Sequence, residues 1–97
     1  MFSQDNNSLK EAIKGGAFLV DVRTPSEFAG GSVKGAVNIP LNTLSNQLAK
    51  FKNKKSIVVF CLSGGRSSQA KSILEQNGFQ NVINGGGWRN VNQVVNE

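Results

Sequence analysis

Cys61 is the only cysteine in a chain of 97 residues that contains no histidine. Any sulfur chemistry therefore rests on one thiol, without the commonest general base and without a second cysteine for an internal disulfide. The segment around it reads Cys61, Leu62, Ser63, Gly64, Gly65, Arg66, Ser67, and it follows the apolar run Ser56–Cys61. A thiol becomes a nucleophile as its thiolate, and a helix N-terminus or a nearby cation lowers its ordinary pKa of ~8.5. Glycines let the loop curl so that the backbone N–H groups of Leu62 to Ser67 converge into an anion nest. Such a nest at a helix start suits a thiolate, a persulfide or an oxyanion, and Arg66 adds a planar cationic fork matched to oxyanions. A cysteine on a strand, taken alone, reads as a small buried apolar residue. Its place at the strand end, two glycines and an arginine turn that reading toward a reactive centre.

Loop length bears on what this centre can hold. Cysteine-dependent phosphatases place five residues between cysteine and arginine, whereas four stand here, Leu62 to Gly65. The shorter loop encloses less volume and suits one added sulfur atom better than a tetrahedral phosphate. A phosphatase also needs a general acid. No carboxylate is clearly placed for that, and only Asp21 stays open. A thioredoxin-like exchange lacks its resolving cysteine.

Short helical patterns alternating with apolar runs must position this loop. Ser8–Lys14 carries Leu9, Ala12 and Ile13 at helical spacing and stops at Gly15 and Gly16. Ala17–Asp21 has strand length. Thr24, Pro25 and Glu27 form a compact helix start, with a capping threonine, proline at the first position and glutamate three residues on. Ala36–Ile39 reads as a short strand ended by Pro40. Asn42 or Thr43 is expected to cap a helix with Leu44, Leu48 and Phe51 on its apolar face. The run Ser56–Cys61 is expected to be a central strand covered on both sides. A helix from about Arg66 to Gln76 turns Ala70, Ile73 and Leu74 to the core. Val82–Ile83 makes the last strand, and Gly85–Gly87 leads into a terminal helix with Trp88 and Val91. The alternation implies a mostly parallel α/β sheet, in which ligands bind beyond the carboxyl ends of the strands. Cys61 lies at such an end.

Composition narrows the partners. The net charge of +5 favours anions. The cations are not bunched like a nucleic-acid arm, apart from Lys50–Lys55, and Phe51 and Trp88 offer no repeated aromatic platform, so no nucleic-acid partner is expected. No apolar run reaches the ~20 residues of a membrane span. The polar N-terminus lacks a signal-peptide core, so a cytoplasmic location is expected, or the periplasm if a signal peptide has been removed.

From about Ser8 to Val91 the sequence resembles the rhodanese family. The front motif Asp21-Val22-Arg23, Glu27-Phe28 and Gly35-Ala36-Val37-Asn38-Ile39-Pro40 is similar to the family's D-V-R, E-[FY] and G-A-x-N-[IL]-P. The loop C-L-S-G-G-R-S resembles its single-domain form C-x-x-G-x-R-[SA], and the stretch Val82–Trp88 resembles V-x-x-L-x-G-G-x-x-x-W. Two positions depart: Gly31-Ser32-Val33 stands for G-H-I, and Asn84 stands where many members carry leucine, a change expected to affect packing and not chemistry. The resemblance implies one rhodanese-like domain over residues 8–95 after a flexible segment 1–7, with a five-stranded, mostly parallel sheet and helices on both faces. It further implies that Cys61 takes the outer sulfur of thiosulfate or a related donor as a persulfide and passes it to cyanide, a thiol or a protein acceptor, with no cofactor or metal. A non-catalytic binding or sulfur-carrier module is the alternative.

Asp21 and Arg23 follow the first strong strand at its carboxyl end. They are expected to play a supporting, structural part through an ion pair or loop hydrogen bonds, with Glu27 as the partner of Arg23; a charge lent by Arg23 to the pocket is the alternative. Trp88 reads as core or pocket wall, and Lys52, Lys54 and Lys55 as a solvated basic turn.

Overall fold

The apolar runs become a four-stranded parallel sheet in the computed structural model, which describes residues 6–97. Its strands are β1 (Phe18–Asp21), β2 (Val37–Asn38), β3 (Ile57–Cys61) and β4 (Val82–Gly87), in the spatial order β2-β1-β3-β4. All five residues of β3 are buried, as its unbroken apolar sequence requires of an interior parallel strand. Among the described residues the sheet has four strands where the resemblance implied five.

Four α-helices cover the sheet: α1 (Asn6–Lys14), α2 (Pro25–Ala29), α3 (Gly65–Gln76) and α4 (Trp88–Val95). Alternate residues of a strand point to opposite faces, so β3 feeds two cores. Ile57, Val59 and Cys61 pack with Val20, Val22, Ala70 and Leu74 beneath α3. Val58 and Phe60 pack with Leu9, Val91 and Val94 beneath α1 and α4. Asn6 and Asn7 are helical, so α1 starts two residues before Ser8. The rest of the segment 1–7 lies outside the described residues. No helix among the described residues is long and apolar enough to cross a membrane.

Two local expectations change. The segment after Pro40 forms two 3-10 turns, Leu41–Asn46 and Leu48–Phe51, and not one capped α-helix. Neither Asn42 nor Thr43 caps it. The Thr43 hydroxyl donates backward to the Pro40 carbonyl at 3.0 Å and accepts from Gln47 at 2.7 Å, spending the group a cap would need. Leu44 and Phe51 still reach the core. β4, in turn, continues through the glycines to Gly87. Its register against β3 runs Val59↔Asn84 and then Cys61↔Gly87, so β4 spends one extra residue as a bulge.

Candidate functional site

Cys61 ends β3, and four residues later α3 begins. Gly64 makes this reversal possible with φ 105°, a left-handed conformation that favours glycine. The turn brings the Gly64 N–H to 3.0 Å from the Cys61 sulfur, to which it donates. The Ser67 hydroxyl, in the first turn of α3, lies 3.4 Å from the same sulfur. Cys61 is only 1% exposed, whereas its neighbour Leu62 is 52% exposed and forms the outer lip of the loop. β4 closes the other side. The chain at Gly87 runs so near that a Cβ there would sit 2.7 Å from the Leu62 carbonyl oxygen, a close approach only glycine permits.

Opposing effects set the state of the thiol. Burial pushes it up; the Ser67 hydroxyl and the backbone N–H groups of Ser67, Gly64 and Ser63 pull it down, and the donors win, so it lies below its ordinary value. Of the expected loop donors Leu62 to Ser67, those acting on the sulfur are thus Ser63, Gly64 and Ser67.

Arg66 is not a free charge. Its Nη1 and Nη2 donate to Glu27 Oε1 and Oε2 at 2.7 and 3.0 Å, a bidentate pair between α3 and α2. The pair raises Arg66, which also feels the charges of Cys61 and Asp21. Glu27 was expected to serve Arg23. It faces Arg66 because the capping box, which is present as the sequence implies, folds its carboxylate back to the Thr24 N–H. Arg66 first, and that N–H second, hold Glu27 at about 2 against an ordinary 4.5. A carboxyl lowered on folding contributes stability that is complete above its unfolded pKa and is lost as pH falls through its folded one. The stability advantage of the wild type over Glu27→Gln is therefore expected to be constant above about pH 4.5 and to vanish by about pH 2. Urea unfolding at a series of pH values measures it.

Arg23 instead turns to Asp21. Its Nη2 and Nε donate to the carboxylate at 2.7 to 3.1 Å, and its own backbone N–H donates to Asp21 Oδ1 at 2.9 Å. That local turn leaves Glu27 no role here. Asp21 and Arg23 are 0% and 4% exposed. Arg23 also reaches the Gly31 carbonyl at 2.7 Å and stacks 5.1 Å from the Trp88 ring centre. Ser32, which takes the place of the family histidine, donates to Asp21 Oδ2 at 2.7 Å. With both oxygens so occupied, Asp21 has no site left from which to act as a general acid.

Asn84, expected to affect packing and not chemistry, makes polar contacts with the loop. Its side chain accepts from the Ser67 hydroxyl at 2.7 Å and from the Gly86 N–H at 2.9 Å, and its amide nitrogen faces the Gly64 carbonyl at 3.4 Å. It therefore joins the polar network of the loop and does not merely fill space. Strand alternation puts Val82 and Asn84 on one face, but only the docking of β4 against β3 and α3 turns that face toward Ser67.

A recess of about 560 Å³ lies at the opposite end of the sheet, lined by Lys55, Ser56 and Asn81 among others. It touches no residue of the loop from Cys61 to Ser67. A smaller apolar recess of about 300 Å³ is lined by Val22, Pro40, Leu41 and Arg66 on the loop side. Size does not decide between them. The thiol and its converging donors do.

A parallel α/β sheet whose central strand delivers a buried thiol through a glycine turn to the start of a helix defines the architecture of the site. The chain belongs to the rhodanese-like domain family, whose model matches residues 5–93. It is 36% identical over 66 residues to a sulfurtransferase of Allochromatium vinosum, covering 68% of this chain and 62% of that protein. It is 36% identical over 74 residues to the thiosulfate sulfurtransferase PspE of Escherichia coli, covering 74% and 71%. The chain thus spans less than two thirds of the Allochromatium protein. A solved structure, a rhodanese with anions from E. coli, matches with a TM-score of 0.70 and 36% identity over 76% of this chain and 89% of that one.

Proposed function

We propose that the chain is a rhodanese-type sulfurtransferase that carries sulfur as a persulfide on Cys61. The observation that carries this reading is the Cys61 sulfur under the Gly64 N–H at the start of α3, with its thiol lowered. The Cys61 thiolate attacks the outer sulfur of thiosulfate or a related donor. A sulfur–sulfur bond forms, the bond to the sulfite group breaks, and sulfite leaves with the bonding pair. Cyanide or a thiol then attacks the outer persulfide sulfur, and Cys61 leaves as thiolate. Covalent catalysis of this kind divides one difficult transfer into two. The N–H groups of Ser63, Gly64 and Ser67 offset the negative charge at each stage, while Leu62 and Gly65 shape the loop around it. Arg66 contributes an oriented, paired charge at the rim. Asp21 and Arg23 support the site from the end of β1, next to β3.

The reading is supported by the family membership, by the names of the sulfurtransferase relatives and by the four-residue spacing from Cys61 to Arg66. The occupied oxygens of Asp21 weigh against phosphatase chemistry. Incubation with thiosulfate and cyanide is the test. Thiocyanate production, together with a mass gain of one sulfur atom when cyanide is left out, is the expected result. Sulfur uptake without turnover would reassign the chain as a carrier, and no uptake would sink both readings.

A further inference from the structure

We propose that Asn84 is a positioning residue: it claims the hydroxyl proton of Ser67 and so sets how strongly the loop accepts negative charge on Cys61. The Ser67 hydroxyl has one proton and three acceptors in reach. These are Asn84 Oδ1 at 2.7 Å, the Gly64 carbonyl at 3.1 Å and the Cys61 sulfur at 3.4 Å. The orientation of the Asn84 amide follows from its neighbours. The Gly86 N–H, 2.9 Å away, can only donate, so the atom facing it is the oxygen. The amide nitrogen then faces the Gly64 carbonyl, as an N–H donor should. Since Oδ1 cannot donate, the 2.7 Å contact requires Ser67 to give its proton to Asn84.

The consequence lies at the sulfur. With its proton committed to Asn84, Ser67 presents a lone pair to the Cys61 thiol, and the lowering it exerts on Cys61 is realised only when it donates to the sulfur. A thiolate or persulfide anion gains the Ser67 donor only by drawing the proton away from Asn84. Asn84 therefore competes with the sulfur for one hydrogen bond. The other groups that act here belong to other elements: Arg66 on α3, its partner Glu27 on α2, and the Asp21–Arg23 pair at the end of β1. β4, which carries Asn84, contains no titratable side chain.

This inference concerns the same thiol as the proposed transfer and rests on that thiol being the reactive group, but its readout needs no sulfur donor. Asn84→Leu removes the nearest acceptor of the Ser67 proton, which the sulfur at 3.4 Å then shares with the Gly64 carbonyl at 3.1 Å alone. Titration by ultraviolet thiolate absorbance, and by the pH dependence of alkylation, is expected to show the Cys61 midpoint falling by about one pH unit, the scale of one hydrogen bond to a charged group. Asn84→Ala removes the same acceptor without bulk and gives the same fall, so the test does not depend on the leucine variant folding. Ser67→Ala removes the hydroxyl, and in that background Asn84→Ala shifts nothing further. A midpoint that stays or rises in both Asn84 variants, or a fall that persists without the Ser67 hydroxyl, overturns the proposal. Failure of thiosulfate to react, with the titration as expected, overturns the transfer reaction and leaves this role standing.

Discussion

Replacing Cys61 by alanine is expected to reduce thiocyanate production to that of a control without protein, and to abolish the mass gain after thiosulfate. The chain has no second cysteine and no histidine to take over, so no partial route survives. Cys61→Ser should be as inactive. A hydroxyl keeps the position, but it ionises far less readily than a thiol, and the loop that lowers Cys61 supplies dipoles and not a base. The fold should tolerate the alanine variant. Cys61 is buried, and the change deletes one atom from a core that keeps Val59, Ala70 and Leu74 around it, so a cost of about 1 kcal/mol is expected. Thermal melts of the two proteins should thus lie within about 8 °C of each other, which separates lost chemistry from lost structure. Thiocyanate formation by folded Cys61→Ala at the wild-type rate would move the reaction elsewhere in the molecule.

The second large effect falls on stability. Asp21→Ala leaves the Arg23 guanidinium buried beside a vacated carboxylate. Breaking a buried pair by removing one partner costs about 3–5 kcal/mol, chiefly through the charge left unpaired. A small domain holds only about 5–15 kcal/mol in all. At about 4 °C or more per kcal/mol for a domain of this size, the melting temperature should fall by at least ~12 °C. The double variant Asp21→Ala/Arg23→Ala should lose less than the sum of the single changes, because no unpaired charge remains. Ser32→Ala removes one hydrogen bond from the same carboxylate and should cost only about 1 kcal/mol. A loss below 1 kcal/mol for Asp21→Ala in urea unfolding would show that water reaches Arg23.

What could be read from the chain was what depends on neighbours in sequence. β3 is an unbroken apolar run, so its central place was legible. The capping box at Thr24 and Glu27 needs only those residues and Pro25, and it formed as its spacing implied. The turn from Cys61 into α3 follows from glycine at 64. The misreadings share another cause. Glu27 meets Arg66 across 39 positions and Asn84 meets Ser67 across 17. No local preference encodes such pairings, which arise only when β4 and α2 dock against α3. The glycines after Ile83 looked like a break, and they continued a strand because β3 offered them a partner.

The bidentate grip of Glu27 on Arg66 has a further consequence for how salt acts on the protein. The net charge of +5 still draws anions from a distance, and dissolved ions screen that attraction over about 8 Å at physiological strength. Arg23 and Arg66 are each paired with a carboxylate, and the Gly64 N–H donates to the sulfur at 3.0 Å. Ions in solution have no room to intervene at that range. Salt should therefore govern how often a sulfur anion arrives, and have little say in how firmly it is kept.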